Sequence, residues 1–459
     1  MGWRILKWLF GIFLVFVLCV AVFIAVKGKD ILRTATGSVS RSLCAAAFVS
    51  GVDPDRVYAE EQRQYLGTLD WVLRYEVDRE KHEVRATVAG GFAARSVYRP
   101  GLGCIVAHGD VPEAAGIEPP TFADAFAEQS AVVEPTDPAL RKALDGAFAE
   151  PDPKFPRNTK AFVVLHDGKL IAERYAPGYG PTTPIWAHSL SKSLTNALIG
   201  ILVREGKLRV DEPAPLPAWQ EGSDAHRAIT VDQLLRMTSG LPFDDNDDPL
   251  NHLNRMVFLE RDMAAYAAHV PLEHTPGTAW GYSNAGYIVL SRLVHNAVGT
   301  SAADVEHFVR RELFEPLGMR NATLDCDVAG TPNGASNSYA SARDWARFGQ
   351  LYLDDGMAGG RRILPEGWVS YSASQTLATG YGAGFWTNLV DQGRVPVWDA
   401  PWGMPTLPKD MFYARGALGQ YIVVVPSERL VVVRMGIGYG GVEGAIAQII
   451  TALHASTDS

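Results

Sequence analysis

Three short segments carry the side chains best suited to chemistry in this 459-residue chain. Ser189-Leu190-Ser191-Lys192 sets a hydroxyl and an amine three residues apart, where a predicted helix over 189–204 begins. At that spacing both side chains share one helix face about a turn apart, so the lysine reaches the serine. The helix N-terminus adds free N–H groups and a partial positive charge, suited to the anion that develops on an attacked carbonyl. Gly281-Tyr282-Ser283-Asn284 puts a phenol between a Pro276-Gly277 turn and a second predicted helix over 283–298. Near a lysine ammonium such a phenol ionises more easily and can carry protons between serine and leaving group. Arg415-Gly416-Ala417-Leu418-Gly419-Gln420 leads into a strand over 421–425, and its glycines would let a substrate approach the strand edge. Each segment also has an ordinary reading: a solvated first-turn lysine, a core tyrosine beside a turn asparagine, and glycines of a turn or bulge.

The elements that must position these groups follow from periodicity. Ala161-Phe162-Val163-Val164-Leu165, a His166-Asp167-Gly168-Lys169 turn and Leu170 to Tyr175 form a hairpin signal. Leu190, Leu194, Leu198, Ile201 and Leu202 then mark one apolar helix face, with Gly206 placed to end it. Residues 211–370 read as helical segments joined by Pro and Gly turns, including a capping box at Ser341 and Asp344. Strand signals return at 421–425 and 430–435, and an apolar-striped helix over 442–454 closes the chain. Strands at both ends with helices between predict an α+β fold: one antiparallel sheet flanked by helices, with an all-helical insert.

Ahead of that domain, expected over 159–459, three further regions separate. Trp8 to Val26 is an uncharged run of nineteen residues, long enough to span a bilayer as a helix, and no small-x-small cleavage site follows closely. Residues 1–33 are therefore expected to be an uncleaved membrane anchor. Arg4 and Lys7 on one side are matched by Lys27, Lys29 and Arg33 on the other, so the positive-inside count does not set the orientation. Residues 34–106 read as a small β-rich unit, with strand alternation in Trp71 to Val77 and Val84 to Val88. Residues 107–158, rich in Pro and acidic residues, read as a wrapping linker with one short helix over 138–148. Cys44 and Cys104 flank the small unit, and a bridge between them would close a long loop; that expectation places the body outside the cytoplasm.

The net charge of −9, with no long basic run in the body, excludes nucleic acid as a natural partner. No C-x-x-C, H-x-x-H or H-E-x-x-H spacing occurs, so neither metal nor cofactor is expected.

Taken in order, S-x-x-K after an N-terminal hairpin, Y-x-N inside the helical insert and a Gly-flanked segment before the penultimate strand resemble the serine β-lactamase and penicillin-binding protein superfamily. Thr230 to Pro242 and Ser341 to Gly349 resemble two further elements of that superfamily, and the likeness covers roughly 159–455. Within it the chain looks closest to the class C-like branch of 6-aminohexanoate-dimer hydrolases and related esterases, whose N-terminal extensions the Cys44–Cys104 unit also resembles. The resemblance implies a serine hydrolase acting on small esters or amides through an acyl-Ser189 intermediate. Lys192 and Tyr282 would share the general-base role, Asn284 would position Lys192 and substrate, and the N–H groups of Ser189 and Gln420 would form the oxyanion hole, with Gly419 and Ala417 beside it. One departure stands out. Where β-lactamases carry a lysine and many esterases a histidine in the third motif, this chain has Ala417, which removes a cation for anionic substrates. Arg415 need not face the site, by strand alternation.

Two other readings compete. A Ser-His-Asp hydrolase lacks its G-x-S-x-G elbow, and His188 would point away from Ser189. A non-catalytic or acylation-only membrane sensor on the same fold is the alternative that Ala417 raises.

Overall fold

A computed structural model describes residues 27–457 except 113, 115, 130, 221–224, 245, 247, 391–392 and 396–399, together with residues 3, 7–12 and 15. The expected span from Trp8 to Val26 thus lies largely outside the described residues. Among those described, no helix is long and apolar enough to cross a membrane.

The unit that follows is not simply β-rich. Helix α1 (Lys29–Ala45) runs across the expected boundary at residue 33, and helical turns continue to Trp71. Only then come four antiparallel strands in sequential order, β1 (Leu73–Asp78), β2 (Glu83–Val88), β3 (Phe92–Arg99) and β4 (Gly103–Val106). The α1 sequence, KDILRTATGSVSRSLCA, is rich in Ser, Thr and Gly, all weak helix formers, so propensity conceals it. Packing supplies what propensity lacks: α1 lies on β2 and β3, burying Val39, Leu43, Cys44 and Ala45. Its other side meets the helical insert, where a Cβ at Gly37 would come within 3.1 Å of Phe258. Cys44 of α1 is bridged to Cys104 of β4.

The linker carries α2 (Pro138–Phe148), capped by Asp137 with Pro138 in its first turn, as its sequence predicts. Beyond it, β5 (Thr159–His166) and β6 (Lys169–Tyr175) open the main sheet, and the two-residue β7 (Ile185–Trp186) leads into α3 (Leu190–Arg204). The insert includes α4 (Asn284–Val298), the short strands β8 (Thr323–Leu324) and β9 (Ser338–Ala340), and α5 (Ala342–Leu353), started by the Ser341–Asp344 capping box. The chain then returns through β10 (Trp386–Thr387), β11 (Phe412–Gly416), β12 (Gln420–Val425) and β13 (Leu430–Gly436), and closes with α6 (Val442–Thr457).

The main sheet is antiparallel throughout, in the order β10-β11-β12-β13-β5-β6, so first and last segments of the domain pair at its centre. Ala161 to Leu165, Ile422 to Val425 and Leu430 to Val433 are all fully buried. Successive strand residues point to opposite faces, so burial without alternation means both faces are covered. Helix α5 packs on β5, β12 and β13, and α3 packs on β11 and β12, which sets the start of α3 beside the end of β11. This is the α+β, β-lactamase/transpeptidase-like arrangement that the sequence predicts, except that the insert is not all-helical: β8 and β9 join β7 in a separate three-stranded sheet.

Candidate active site

Ser189 ends a sharp turn. Trp186 closes β7, the N–H of Ala187 donates to the Ser338 carbonyl at 2.9 Å, and His188 adopts a left-handed backbone (φ 49°) before α3 begins. Ser189 occupies the N-cap position, yet its hydroxyl makes no capping bond. Ser283, Ser301 and Ser341 at other N-caps all bond a backbone N–H of their helix. A cap is worth about 1 kcal/mol, and here the Ser189 Oγ instead receives Lys192 Nζ at 3.1 Å.

Lys192 is almost fully buried. Its Nζ also donates to Asn284 Oδ1 at 2.7 Å and to the Ala335 carbonyl at 2.8 Å, and it lies 4.6 Å from the centre of the Tyr282 ring. The two motifs therefore meet, although ninety residues separate them in sequence. Asn284 is turned by Asp244, whose carboxylate accepts from the Asn284 N–H at 2.8 Å, its Nδ2 at 2.7 Å and the Ala285 N–H at 3.2 Å. Burial pushes the Asp244 carboxyl up to about 6, against the pull of those three bonds and of Lys192. Sequence reasoning missed Asp244. Its only signal is an acidic run, Asp244-Asp245-Asn246-Asp247-Asp248, which reads as a solvated loop.

Tyr282 is buried in an aromatic wall. Trp386 stacks near it at 6.0 Å, with Tyr381, Phe243 and Trp280 at 6.1 to 6.3 Å. Arg415 joins this wall, its guanidinium carbon 5.8 Å from the Trp386 ring centre. Burial works against its charge, but the phenols of Tyr421, Tyr413, Tyr439 and Tyr282 hold the guanidinium above its ordinary value. Arg415 therefore does face the Tyr282 side, which the reading from strand alternation left open. Strand β11 ends at Gly416: residues 417–419 form a tight turn with Leu418 left-handed, and Ala417 is exposed rather than set along a strand.

The third motif's glycines divide in the same way. A Cβ at Gly416 would meet the Ala187 carbonyl oxygen at 2.4 Å, so this glycine lets β11 press against the segment that leads into Ser189. Gly419 (φ 81°) faces Arg434 and the Gly438 carbonyl. The Gln420 side chain exchanges hydrogen bonds with the backbone of Gly436 at 2.5 and 2.9 Å, tying β12 to β13. His188 stacks on Trp186 at 3.8 Å. Burial, then the cations of Arg41 and Lys192, pull its imidazole down to about 3, which makes it a weak base. Among the described residues, no group of three or more His, Cys, Asp or Glu side chains could hold a metal ion.

With this geometry in place, comparison with known proteins is direct. Residues 156–450 match the profile of the Beta-lactamase family. The chain belongs to that family. The 6-aminohexanoate-dimer hydrolase of Paenarthrobacter ureafaciens is 27% identical over 224 residues, 46% of this chain and 56% of that protein. A Bacillus anthracis structure, proposed to be a 6-aminohexanoate-dimer hydrolase, superposes with a TM-score of 0.56 at 21% identity, over 73% of this chain and 90% of that one. A family VIII carboxylesterase gives 0.53 at 16% identity, over 71% and 99%. At such identities the superpositions establish the fold, which places this chain among β-lactamase-related hydrolases in architecture.

Proposed function

We propose that this protein hydrolyses small esters or amides through an acyl-enzyme on Ser189. The observation that carries the reading is the Ser189 hydroxyl, withheld from its helix cap and paired with a buried lysine. Two carbonyl oxygens, of Asn284 and Ala335, take two hydrogens of Lys192 Nζ, which leaves its third position aimed at Oγ. A neutral amine meets all three partners, since two N–H groups donate while the lone pair accepts the serine proton. After transfer the ammonium donates to whatever charge remains on Oγ, so the relay needs no rearrangement. Tyr282, whose ring rests on Lys192, passes the proton on to the leaving group. The N–H of Ser189 and that of Ala417, the residue after the Gly416 close approach, are our choice of oxyanion donors in place of Gln420.

The relative from Paenarthrobacter, named for an amide dimer, supports short linear amides beside esters as substrates. We also propose that residues 1–33 anchor the chain with its body outside the cytoplasm, which the Cys44–Cys104 bridge supports. Cell fractionation with protease protection tests that placement; a body shielded on the cytoplasmic side overturns it. For the activity, Ser189→Ala is assayed on p-nitrophenyl esters and on the linear 6-aminohexanoate dimer, with intact-mass detection of the acyl-enzyme. Loss of hydrolysis and of the adduct is expected. Activity of the variant within about tenfold of wild type overturns the nucleophile, and an adduct that forms but never turns over points to the sensor alternative.

A further inference from the structure

Arg41 lies on α1, one turn before its end, and its guanidinium leaves the N-terminal unit to finish inside the hydrolase domain, behind the nucleophile. It is 2% exposed and ion-paired with Asp325. With its oxygen turned to the guanidinium, the Asn337 amide accepts from Nη2 and Nε of Arg41 at 2.8 and 2.9 Å. The guanidinium carbon stands 5.1 Å from the Trp186 ring centre and 5.9 Å from that of Tyr339. Taking a cation out of water costs several kcal/mol, and a planar guanidinium recovers it through simultaneous pairing, forked hydrogen bonding and stacking.

What Arg41 touches are the two supports of the site. Trp186 stacks on His188, whose left-handed turn delivers Ser189. Asn337 and Tyr339 belong to the segment that holds Lys192 through the Ala335 carbonyl and Ser191 through Ser338, with the two hydroxyls 2.7 Å apart. The bridge fastens this contact from both sides. Cys44 follows Arg41 by three residues on α1, and the Cys104 N–H faces the Asp325 carboxylate.

We propose that Arg41 is a positioning residue for the hydrolysis: through Trp186 and His188 on one side and the 335–339 segment on the other, it keeps Ser189 and Lys192 in register. The N-terminal unit is then part of the active site's framework, although it contributes nothing that touches substrate. This inference rests on the reading of Ser189 as nucleophile.

The test uses the full chain with Arg41→Met combined with Asp325→Asn, so that no carboxylate is left buried without its partner, and separately Arg41→Lys, which keeps the charge but loses the planar fork. Three quantities are read: kcat and KM on p-nitrophenyl acetate, the rate at which a fluorophosphonate labels Ser189, and the titration of the His188 imidazole by carbon NMR, assigned with His188→Gln. For the double variant, kcat and labelling rate should fall about ten- to a hundredfold with KM within about threefold, the pattern of a displaced catalytic pair. Arg41→Lys should fall between it and wild type, and serves alone if the double variant does not fold. Removal of the cation should also move the His188 titration upward. A folded variant with kcat and labelling rate both within about twofold of wild type overturns the proposal, wherever His188 titrates. Should wild type neither hydrolyse nor take the label, the function reading falls, while the ring-current shift of the His188 carbons, set by their stack on Trp186, still decides whether Arg41 holds the turn.

Discussion

Asp244→Asn probes the site at its least expected member. The carboxylate accepts three hydrogen bonds from Asn284 and Ala285 and so orients the Asn284 amide, Nδ2 toward itself and Oδ1 toward Lys192. An asparagine at 244 offers one oxygen and one NH2 group to three donors, so at least one buried N–H faces another donor. With its oxygen in the place of Oδ1 both Asn284 bonds survive and the NH2 group meets the Ala285 N–H, so relief comes from a shift of the 284–285 backbone that carries the Asn284 Oδ1 off Lys192. A lost charge-assisted hydrogen bond costs about 1.5 to 3 kcal/mol, and if that loss falls on the proton relay, kcat drops about ten- to a hundredfold. The pH dependence separates this from general damage. Only the ionised Asp244 accepts all three bonds, and burial holds its carboxyl up near 6, so activity should rise with pH through that region. Stability runs the other way. The folded protein holds this proton more tightly than the unfolded chain does, so the stability Asp244 contributes is full below about pH 4 and lost as pH rises through about 6. The assay is kcat against pH, from 5 to 9, on p-nitrophenyl butyrate, with melting temperatures measured in parallel. A variant within about twofold of wild type at every pH, with the acidic limb unchanged, refutes the orienting role.

Lys192→Ala and Tyr282→Phe should each lower kcat by several orders of magnitude on the same ester, and the double variant should be little worse than the poorer single; losses that multiply contradict a shared relay. Gly416→Ala should remove activity while leaving far-ultraviolet circular dichroism intact, because the new methyl meets the Ala187 carbonyl at 2.4 Å; a near-native kcat means that β11 and the nucleophile's segment can part freely. Cys44→Ala with Cys104→Ala opens a loop of 60 residues, worth about 4 kcal/mol in chain entropy, which denaturant titration reads; a cost below about 1 kcal/mol denies the bridge its structural part. Arg415→Ala should reduce kcat/KM for a p-nitrophenyl hemisuccinate about ten- to a hundredfold relative to the neutral acetate, and equal losses on both esters refute anion recognition.

The Ser189–Lys192 contact was legible because its spacing obeys helix geometry: the two side chains need only the start of α3 to meet, and Leu190 to Leu202 announce that helix. The order of sheet, insert and sheet was legible too, since Ala161 to Leu165 and Leu430 to Val433 carry their burial in their composition. Asp244 was not, because its meaning lies in a contact with Asn284 forty residues away, and the sequence shows only one acid in an acidic run. Helix α1 was not either. Its stability comes from the sheet beneath it, not from residues such as Thr34, Gly37 and Ser38, so a reading by propensity leaves it blank.

The third motif shows how a local rule fails at a site. Alternation assigns Arg415 and Ala417 to one face only while the strand continues, and the strand stops at Gly416 because the chain must turn where it meets Ala187. Leu418 takes a left-handed conformation in that turn, which no β-branched or bulky residue favours, and the sequence gives no warning beyond the glycines on either side. The consequence is chemical. Ala417 alone predicts a site without a cation; Arg415, set against Trp386 and within the field of Tyr282, puts a positive charge beside this wall from the strand rather than from the turn. An arginine there also differs from a lysine in kind. Its planar guanidinium presents a flat face to the Trp386 ring as well as a charge, which the compact ammonium of a lysine does not.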